Sequence, residues 1–451
     1  MNLRLLLLAM LLPVFAGAQF LPANTTLQQA FIQATQEDKL IFLMIESAEC
    51  QQCNDVAAKG LSDEKLQHQL KDHFVALRIS PFHPDLNYIK EKYNYTSDGN
   101  NVLFLDKWGT LVHRMNISTS SSGKYFQEII NATVRKRDAD KIRELEQAAL
   151  TGSMNIDNLY GLMLRRRFIS LPTDELLEQY VSQLPADSLK SVTTLQRIYR
   201  LSPILNSKAD QAVHQNPSLF NLALLGIPKT EQSAIRSQII FKSRQQAIQE
   251  KQIAKALVVA DFARQGHTTK TGADRDYHYN LMEYYKGIND TASYLNAAVN
   301  YYDQFAMQVK ADVIKKQDSI RQSTLLNANT PKDTMQDAEG RMILRSRTTF
   351  SPYAPRYQQE LSYGARNFYY MTSDVTYLRK ALQWAAHAND FYESPYGIDT
   401  FARLLYKVDR NVDQAIQLEE KAISLLIKQK TSTETFDTVL QKMKKGEPNI
   451  K

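Results

Sequence analysis

The amino-acid sequence predicts an α/β domain followed by an all-α helical-repeat region, and three observations carry that expectation. Between Leu27 and Val134 the hydrophobic period switches repeatedly between helical spacing and short continuous apolar runs. Beyond about Lys136 no strand pattern remains, and helical windows follow one another. Near the C-terminus, Ala381, Leu382, Ala388 and Phe391 recur 34 residues later as Ala415, Ile416, Ala422 and Leu425.

The chain opens on the pattern of a secretory signal. Arg4 supplies the positive charge, Leu5 to Val14 the apolar stretch, and Ala16-Gly17-Ala18 the small-residue cleavage site before Gln19. No later apolar run approaches the ~18 residues that a membrane span needs. The expected mature protein is therefore exported and not membrane-spanning: periplasmic in a Gram-negative cell, otherwise secreted.

After that signal, Leu27, Phe31 and Ile32 have helical spacing, and Leu40 to Ile45 is a continuous apolar run of the kind a fully buried strand requires. Val56 to Leu61 reads as a short helix, and Leu66 with Leu70 as a further helical turn. Phe74 to Ile79 reads as a second strand, and Leu86, Ile89 and Tyr93 resume helical spacing. Val102 to Leu105 is again a buried strand; Asp106-Lys107-Trp108-Gly109 carries turn chemistry, with Gly109 supplying the positive φ, and Leu111 to Met115 pairs back as a hairpin. A last helix starts near Ser122 and runs through Tyr125, Phe126 and Ile129. This order predicts a sheet with helices on both faces.

The chain has two cysteines, and they stand three apart as Cys50-Gln51-Gln52-Cys53, directly after the first apolar strand. A C-x-x-C that follows a strand and opens a helix is where thiol–disulfide exchange is carried out. So short a loop constrains little of the unfolded chain, so reactivity explains the pair better than stability does. At a helix N-terminus Cys50 would have its thiolate stabilised by unsatisfied backbone N–H groups, and Cys53, one turn in, would resolve a mixed disulfide. Glu46 and Glu49 oppose the thiolate. A metal site would need two more ligands, and no second C-x-x-C exists. His68, His73 and His83 are expected at the surface.

These elements resemble the thioredoxin-like superfamily, in particular its exported members with a longer insertion after the redox helix. The resemblance rests on Glu37-Asp38-Lys39 before the first strand, Cys50-Gln51-Gln52-Cys53 at its end, Leu61-Ser62-Asp63 ahead of a helix, Phe74-Val75, and Phe104-Leu105-Asp106-Lys107-Trp108-Gly109 at the hairpin. It covers about a quarter of the chain. It implies a dithiol–disulfide exchange with Cys50 and Cys53 as catalytic residues, no bound cofactor, and substrate binding at Asn100 and Asn101, at the start of the strand that faces the redox pair. Two places depart from the family: Glu49 stands where Trp usually precedes the first cysteine, and Asn100 where a cis-proline usually stands.

In the all-α part, Tyr294-Leu295-Asn296-Ala297-Ala298 echoes Tyr377-Leu378-Arg379-Lys380-Ala381, and the repeating small residues look like tetratricopeptide-type helix pairs, which build concave surfaces for protein partners. The expected organisation is a signal over 1–18, a thioredoxin-like domain over 19–137, a helical region over 138–310, a linker or long loop over 311–349, and a tetratricopeptide-like region over 350–451. The linker assignment follows from the Gln, Ser, Thr, Asn and Asp content of Lys315 to Thr349.

Net charge is +7 from 55 basic and 48 acidic residues, a mild excess that argues against a nucleic-acid footprint. The densest basic cluster, Arg165-Arg166-Arg167, is expected on a solvated helix face. Tyr277-His278-Tyr279, Tyr284-Tyr285, Tyr301-Tyr302 and Phe368-Tyr369-Tyr370 are expected to pack between helices. Together these readings point to an exported thiol–disulfide oxidoreductase acting on exported proteins and recharged by a redox partner protein. The alternative is a non-catalytic interaction scaffold.

Overall fold

The computed structural model describes residues 20–47, 51–95, 101–116, 118–327, 332–336, 342–346, 350–429, 431–448 and 450. The expected signal, Gln19, Cys50 and Asn100 lie outside the described residues. The chain divides into two compact units, the first ending at Arg236 and the second beginning at Ser237.

The first unit begins with helix α1 (Leu27–Glu37), whose start is fixed by a capping box: the Gln29 N–H donates to Thr26 Oγ, and the Thr26 N–H donates to Gln29 Oε1. Strand β1 (Leu40–Ile45) follows, then α2 (Gln51–Leu61), α3 (Glu64–His73), β2 (Phe74–Ile79), α4 (Leu86–Tyr93), β3 (Asn101–Leu105), β4 (Leu111–Met115) and α5 (Ser122–Lys136). The strands form a four-stranded mixed sheet in the order β2-β1-β3-β4. β1 runs parallel to β2 and antiparallel to β3, with Ile45 opposite Ile79 on one side and Asn101 on the other.

Every residue of β1 is buried, because both faces of the sheet are covered. Ile41, Leu43 and Ile45 pack with Ala30 and Ala34 of α1 and Ile89 and Tyr93 of α4. Phe42 and Met44 point the other way, toward Ala57, Leu66, Leu70 and Ile129 from α2, α3 and α5. On that face Phe42 and Phe104 meet edge to face at 5.5 Å, and Phe42 and Phe74 at 6.4 Å. The β3–β4 turn takes the expected form: Gly109 has φ +78°, and Asp106 Oδ1 accepts from the Trp108 and Thr110 N–H groups at 2.9 and 2.7 Å.

Six further helices complete this unit up to its end near α12: α6 (Ala139–Leu150), α7 (Ile156–Phe168), α8 (Asp174–Gln183), α9 (Val192–Arg200), α10 (Lys208–His214) and α11 (Pro217–Leu225). Where the sequence places a boundary after residue 137, the two cores of the sheet continue across it. Ala139 packs into the α5 side, and Ile169 and Leu171 pack into the α4 side. The arginine triplet is likewise only in part a solvated face: Arg167 is exposed, whereas Arg165 and Arg166 are half-buried. Arg165 donates to the Leu111 carbonyl of β4 at 3.0 Å, Arg166 grips both carboxylate oxygens of Glu146, and Arg167 donates to the Arg200 carbonyl. His83 is buried rather than at the surface: its Nε2 bonds the Thr25 carbonyl at 3.1 Å and its Nδ1 accepts from the Asp85 N–H at 3.2 Å. His68 and His73 are exposed as expected.

The division into units falls within α12 (Lys229–Gln249). The second unit continues with α13 (Ile253–Arg264), α14 (Lys270–Gly287), α15 (Thr291–Tyr301) and α16 (Ala311–Asn327). A short antiparallel pair follows, β5 (Lys332–Gln336) and β6 (Met342–Ser346), then α17 (Ala354–Met371), α18 (Val375–Phe391), α19 (Pro395–Val408), α20 (Val412–Lys428) and α21 (Glu434–Lys444).

The expectation of a linker over 311–349 is thereby corrected: a 17-residue helix and two paired strands occupy much of it. The helix is held by a few specific contacts that composition hides. Ile314 is buried, and the Asp318 carboxylate accepts the Tyr353 and Ala354 N–H groups at the start of α17 at 2.8–2.9 Å.

From α17 to α20 the connections are three residues long, which makes successive helices antiparallel neighbours and gives a repeat-like stack. Its tightest positions are small residues, Ala381, Ala388, Ala415 and Ala422, all fully buried. Trp384 stands 4.7 Å from both Tyr302 and Phe368, and Gly364 lets Tyr302 approach so closely that a Cβ would lie 2.4 Å from the ring. Tyr284, Tyr301, Tyr302, Phe368 and Tyr369 are buried, in line with packing between helices, whereas Tyr279 and Tyr370 are exposed and depart from it. Among the described residues no helix is long and apolar enough to cross a membrane.

Candidate functional site

Of the residues singled out by the sequence, Glu46, Cys53 and Asn101 are described, and they lie near one end of the sheet. β1 ends at Ile45, and its ladder closes with the Glu46 N–H donating to the Ile79 carbonyl at 3.0 Å. Glu46, one of the carboxylates expected to oppose a thiolate, is paired with the Arg78 guanidinium, whose Nε lies 2.7 Å from Glu46 Oε1. Glu49 lies outside the described residues.

Cys53 is the third residue of α2 and is half-buried. Cys50 directly precedes the helix in sequence. The next residue after Cys53, Asn54, is buried and makes a reciprocal pair with the end of the strand: the Ser47 N–H donates to Asn54 Oδ1 at 3.0 Å, and Asn54 Nδ2 donates to the Ser47 carbonyl at 3.0 Å. α2 itself is pressed onto the fold at Gly60, where a Cβ would fall 2.2 Å from the Thr119 carbonyl oxygen and 2.6 Å from the Tyr125 ring. Asn101 opens β3 opposite Ile45, half-buried, and so lies at the sheet end from which the chain leaves for α2. The structure thus brings Ser47, the first turn of α2 and Asn101 to the same end of the sheet.

A second polar cluster escaped sequence reasoning. His113 of β4 is buried, stacked on Phe104 at 5.4 Å and facing Phe168 at 6.3 Å. Arg135 Nη1 can only donate, so at 2.5 Å it fixes His113 Nδ1 as the acceptor and places the imidazole proton on Nε2, which bonds Glu128 Oε2. Burial, helped by the neighbouring Arg135 and Lys124 charges, holds the imidazole below its ordinary pKa against the pull of Glu128. Burial works to raise the Glu128 carboxyl, but hydrogen bonds from Lys124, His113 and Asn131 outweigh it and bring the pKa to about 2. A neutral imidazole locked between a carboxylate and a guanidinium serves as a structural link between β4 and α5. A single histidine in an apolar strand gives no sequence signal for such a link.

The helical unit holds a third cluster, at α19 and α20. Arg403 Nε lies 2.6 Å from Asp399 Oδ1, and the Glu419 carboxyl, fully buried, faces the Asp399 carboxyl. Among the described residues no group of three or more histidine, cysteine, aspartate or glutamate side chains is arranged to hold a metal ion. No protein-family model matches the chain, and no curated protein matches it.

Proposed function

We propose that this chain is an exported, thioredoxin-like thiol–disulfide oxidoreductase in which Cys50 and Cys53 exchange electrons with disulfides of exported proteins. The observation that carries this reading is the place of Cys53. It stands in the first turn of α2, the helix entered from the end of β1, within a unit whose flanking strands β1 and β2 are parallel. A C-x-x-C in a βαβ setting is the arrangement associated with thioredoxin-like redox chemistry.

In the forward step the Cys50 thiolate attacks one sulfur of a substrate disulfide, forming a mixed disulfide and expelling the other substrate sulfur as a thiolate, which takes up a proton. Cys53 then attacks the Cys50 sulfur, closes the Cys50–Cys53 disulfide and releases the second substrate thiol. The substrate gains two electrons and two protons, and a redox partner protein restores the dithiol. Asn100 and Asn101 would offer backbone contacts to the substrate segment beside the pair. The stacked helices of the second unit would dock the partner proteins.

Trapping tests the roles. Cys53→Ala is expected to leave covalent mixed disulfides on Cys50, seen as bands that vanish on reduction, because the resolving attack is lost. Cys50→Ala is expected to trap nothing comparable. Equal trapping by both variants would remove the assignment of roles, and trapping by neither would favour the scaffold alternative.

A further inference from the structure

The residue after the redox pair is built into the fold in a way the exchange reaction does not by itself require. Asn54 is 5 % exposed, in the first turn of an amphipathic helix whose other inward residues, Ala57 and Leu61, are apolar. A buried carboxamide costs stability unless its donor and acceptor are both used. Here both are used on one residue, Ser47, whose N–H and carbonyl each lie 3.0 Å from the Asn54 side chain. Ser47 is itself 5 % exposed and follows directly on the last β1–β2 ladder bond at Glu46. One end of the clamp is therefore the rigid end of a buried strand, and the other is the turn of α2 that carries Cys53. The helix is fixed a second time at Gly60, where no side chain fits against the Thr119 carbonyl. The two contacts thus hold α2 near both of its ends, and the one at Asn54 directly follows Cys53 in the chain.

We propose that Asn54 is a positioning residue for the thiol–disulfide couple: its reciprocal bonds to Ser47 hold the turn of α2 that carries Cys53 against the backbone that follows β1. This rests on the redox reading given above. The proposal follows from preorganisation. Closing the disulfide demands a narrow range of sulfur positions, and a clamp that already restricts the dithiol to that range reduces the entropy lost on closure. Removing the clamp makes the dithiol form relatively more favourable and the couple more oxidising.

The test is the equilibrium of the full-length protein with glutathione. The reaction is protein dithiol plus oxidised glutathione giving protein disulfide plus two reduced glutathiones, so one S–S bond forms as one breaks and both protons end on glutathione. The fraction of protein disulfide is read by alkylation and mass shift. Asn54→Ala is expected to lower the equilibrium constant by about threefold or more, equivalent to ~14 mV toward a more oxidising couple. Asn54→Gln keeps the amide but displaces it by one methylene; it is expected to move the constant in the same direction, and it supplies the reading should the alanine variant not fold. A folded variant, judged by an unchanged circular-dichroism spectrum, whose constant equals that of the wild type would overturn the role of Asn54 while leaving the redox couple standing. A wild-type protein that forms no Cys50–Cys53 disulfide at any glutathione ratio would overturn the redox reading and the positioning role with it.

Discussion

At Glu419 the fold encloses a carboxyl group that faces a second carboxyl, that of Asp399. Burial above all, and the facing Asp399 carboxyl after it, raise its pKa well above the ordinary carboxyl range, and the Arg403 guanidinium only partly offsets this. The charged groups that act on it are Asp399 and Arg403 of α19 and Asp437 of α21, while Arg366 of α17 acts on Asp399 and Tyr370 of α17 on Arg403. One guanidinium facing a buried and a half-buried carboxyl leaves a proton shared between Asp399 and Glu419. Because the folded state keeps a proton that the unfolded chain releases near pH ~4.5, the stability from this group is fully present below that pH. It declines as pH rises through the elevated folded value, by at most about 1.4 kcal/mol per pH unit for one proton. Glu419→Gln is expected to flatten the fall in stability between about pH 5 and pH 9, measured as the urea midpoint at each pH. His113 has the opposite sign. Its lowered pKa means that the unfolded chain takes up a proton first, so its contribution is present above about pH 6.5 and is lost as pH falls below that value. At Gly60, alanine would bring a Cβ against a backbone oxygen that cannot rotate away. Gly60→Ala is expected to cost about 1–3 kcal/mol, read from chemical unfolding monitored by circular dichroism.

Among the elements, α7 contributes more to the sheet region than its sequence suggests. The residue that caps it, Ile169, is 2 % exposed and packs with the α1–α4 side of the sheet. The next carbonyl, Ser170, accepts from Asn94 Nδ2 and from Arg114 Nη1, each at 3.3 Å, so the end of α7 is tied to the end of α4 and to β4. The Arg114 guanidinium is buried deeply enough for its pKa to fall to about 10, which makes the carbonyls of Tyr93, Asn94 and Ser170 its necessary partners. Ile169→Ala is therefore expected to destabilise the first unit by about 2–4 kcal/mol, measured by denaturant unfolding of the full chain. A chain ending at Arg137 is expected to unfold at a lower urea concentration than one that retains α6 to α11. Equal midpoints would show that the sheet core is complete without them.

For the molecule as a whole, the proposed function divides between an α/β part that carries the chemistry and a stack of helices that engages partners. Export is a premise of that division, since structural and catalytic disulfides persist in oxidising compartments. The exported protein is expected to begin at Gln19, with an intact mass lower than that of the full chain by residues Met1 to Ala18. Exported material that retained those residues would remove the signal reading. The second unit contains a large aromatic cluster, in which Trp384 is fully buried and its indole N–H donates to Asp303 Oδ1 at 2.9 Å. Trp384→Ala is expected to cost about 3–5 kcal/mol in thermal or denaturant unfolding.

The sequence by itself determined the elements whose signal is local. A strand covered on both faces must be apolar at every position, so Leu40 to Ile45 was legible as a run, and a turn that needs positive φ selects glycine, so Gly109 was legible as a residue. Helix pairs approach closely only at small side chains, so Ala381 and Ala415 marked the stack through their spacing. The tertiary structure alone decided which distant groups meet: Asn54 with the Ser47 backbone, His113 with Glu128 and Arg135, Arg165 with the Leu111 carbonyl, and Glu419 with Asp399. It also decided that α16 is a helix, since a single aspartate bonded to the start of α17 supports a segment whose composition reads as a linker. The physical reason is the same throughout: hydrophobic periodicity is imprinted residue by residue along the chain, whereas a polar side chain finds its buried partner only once the backbone is folded, and nothing in its own neighbourhood records which partner that will be.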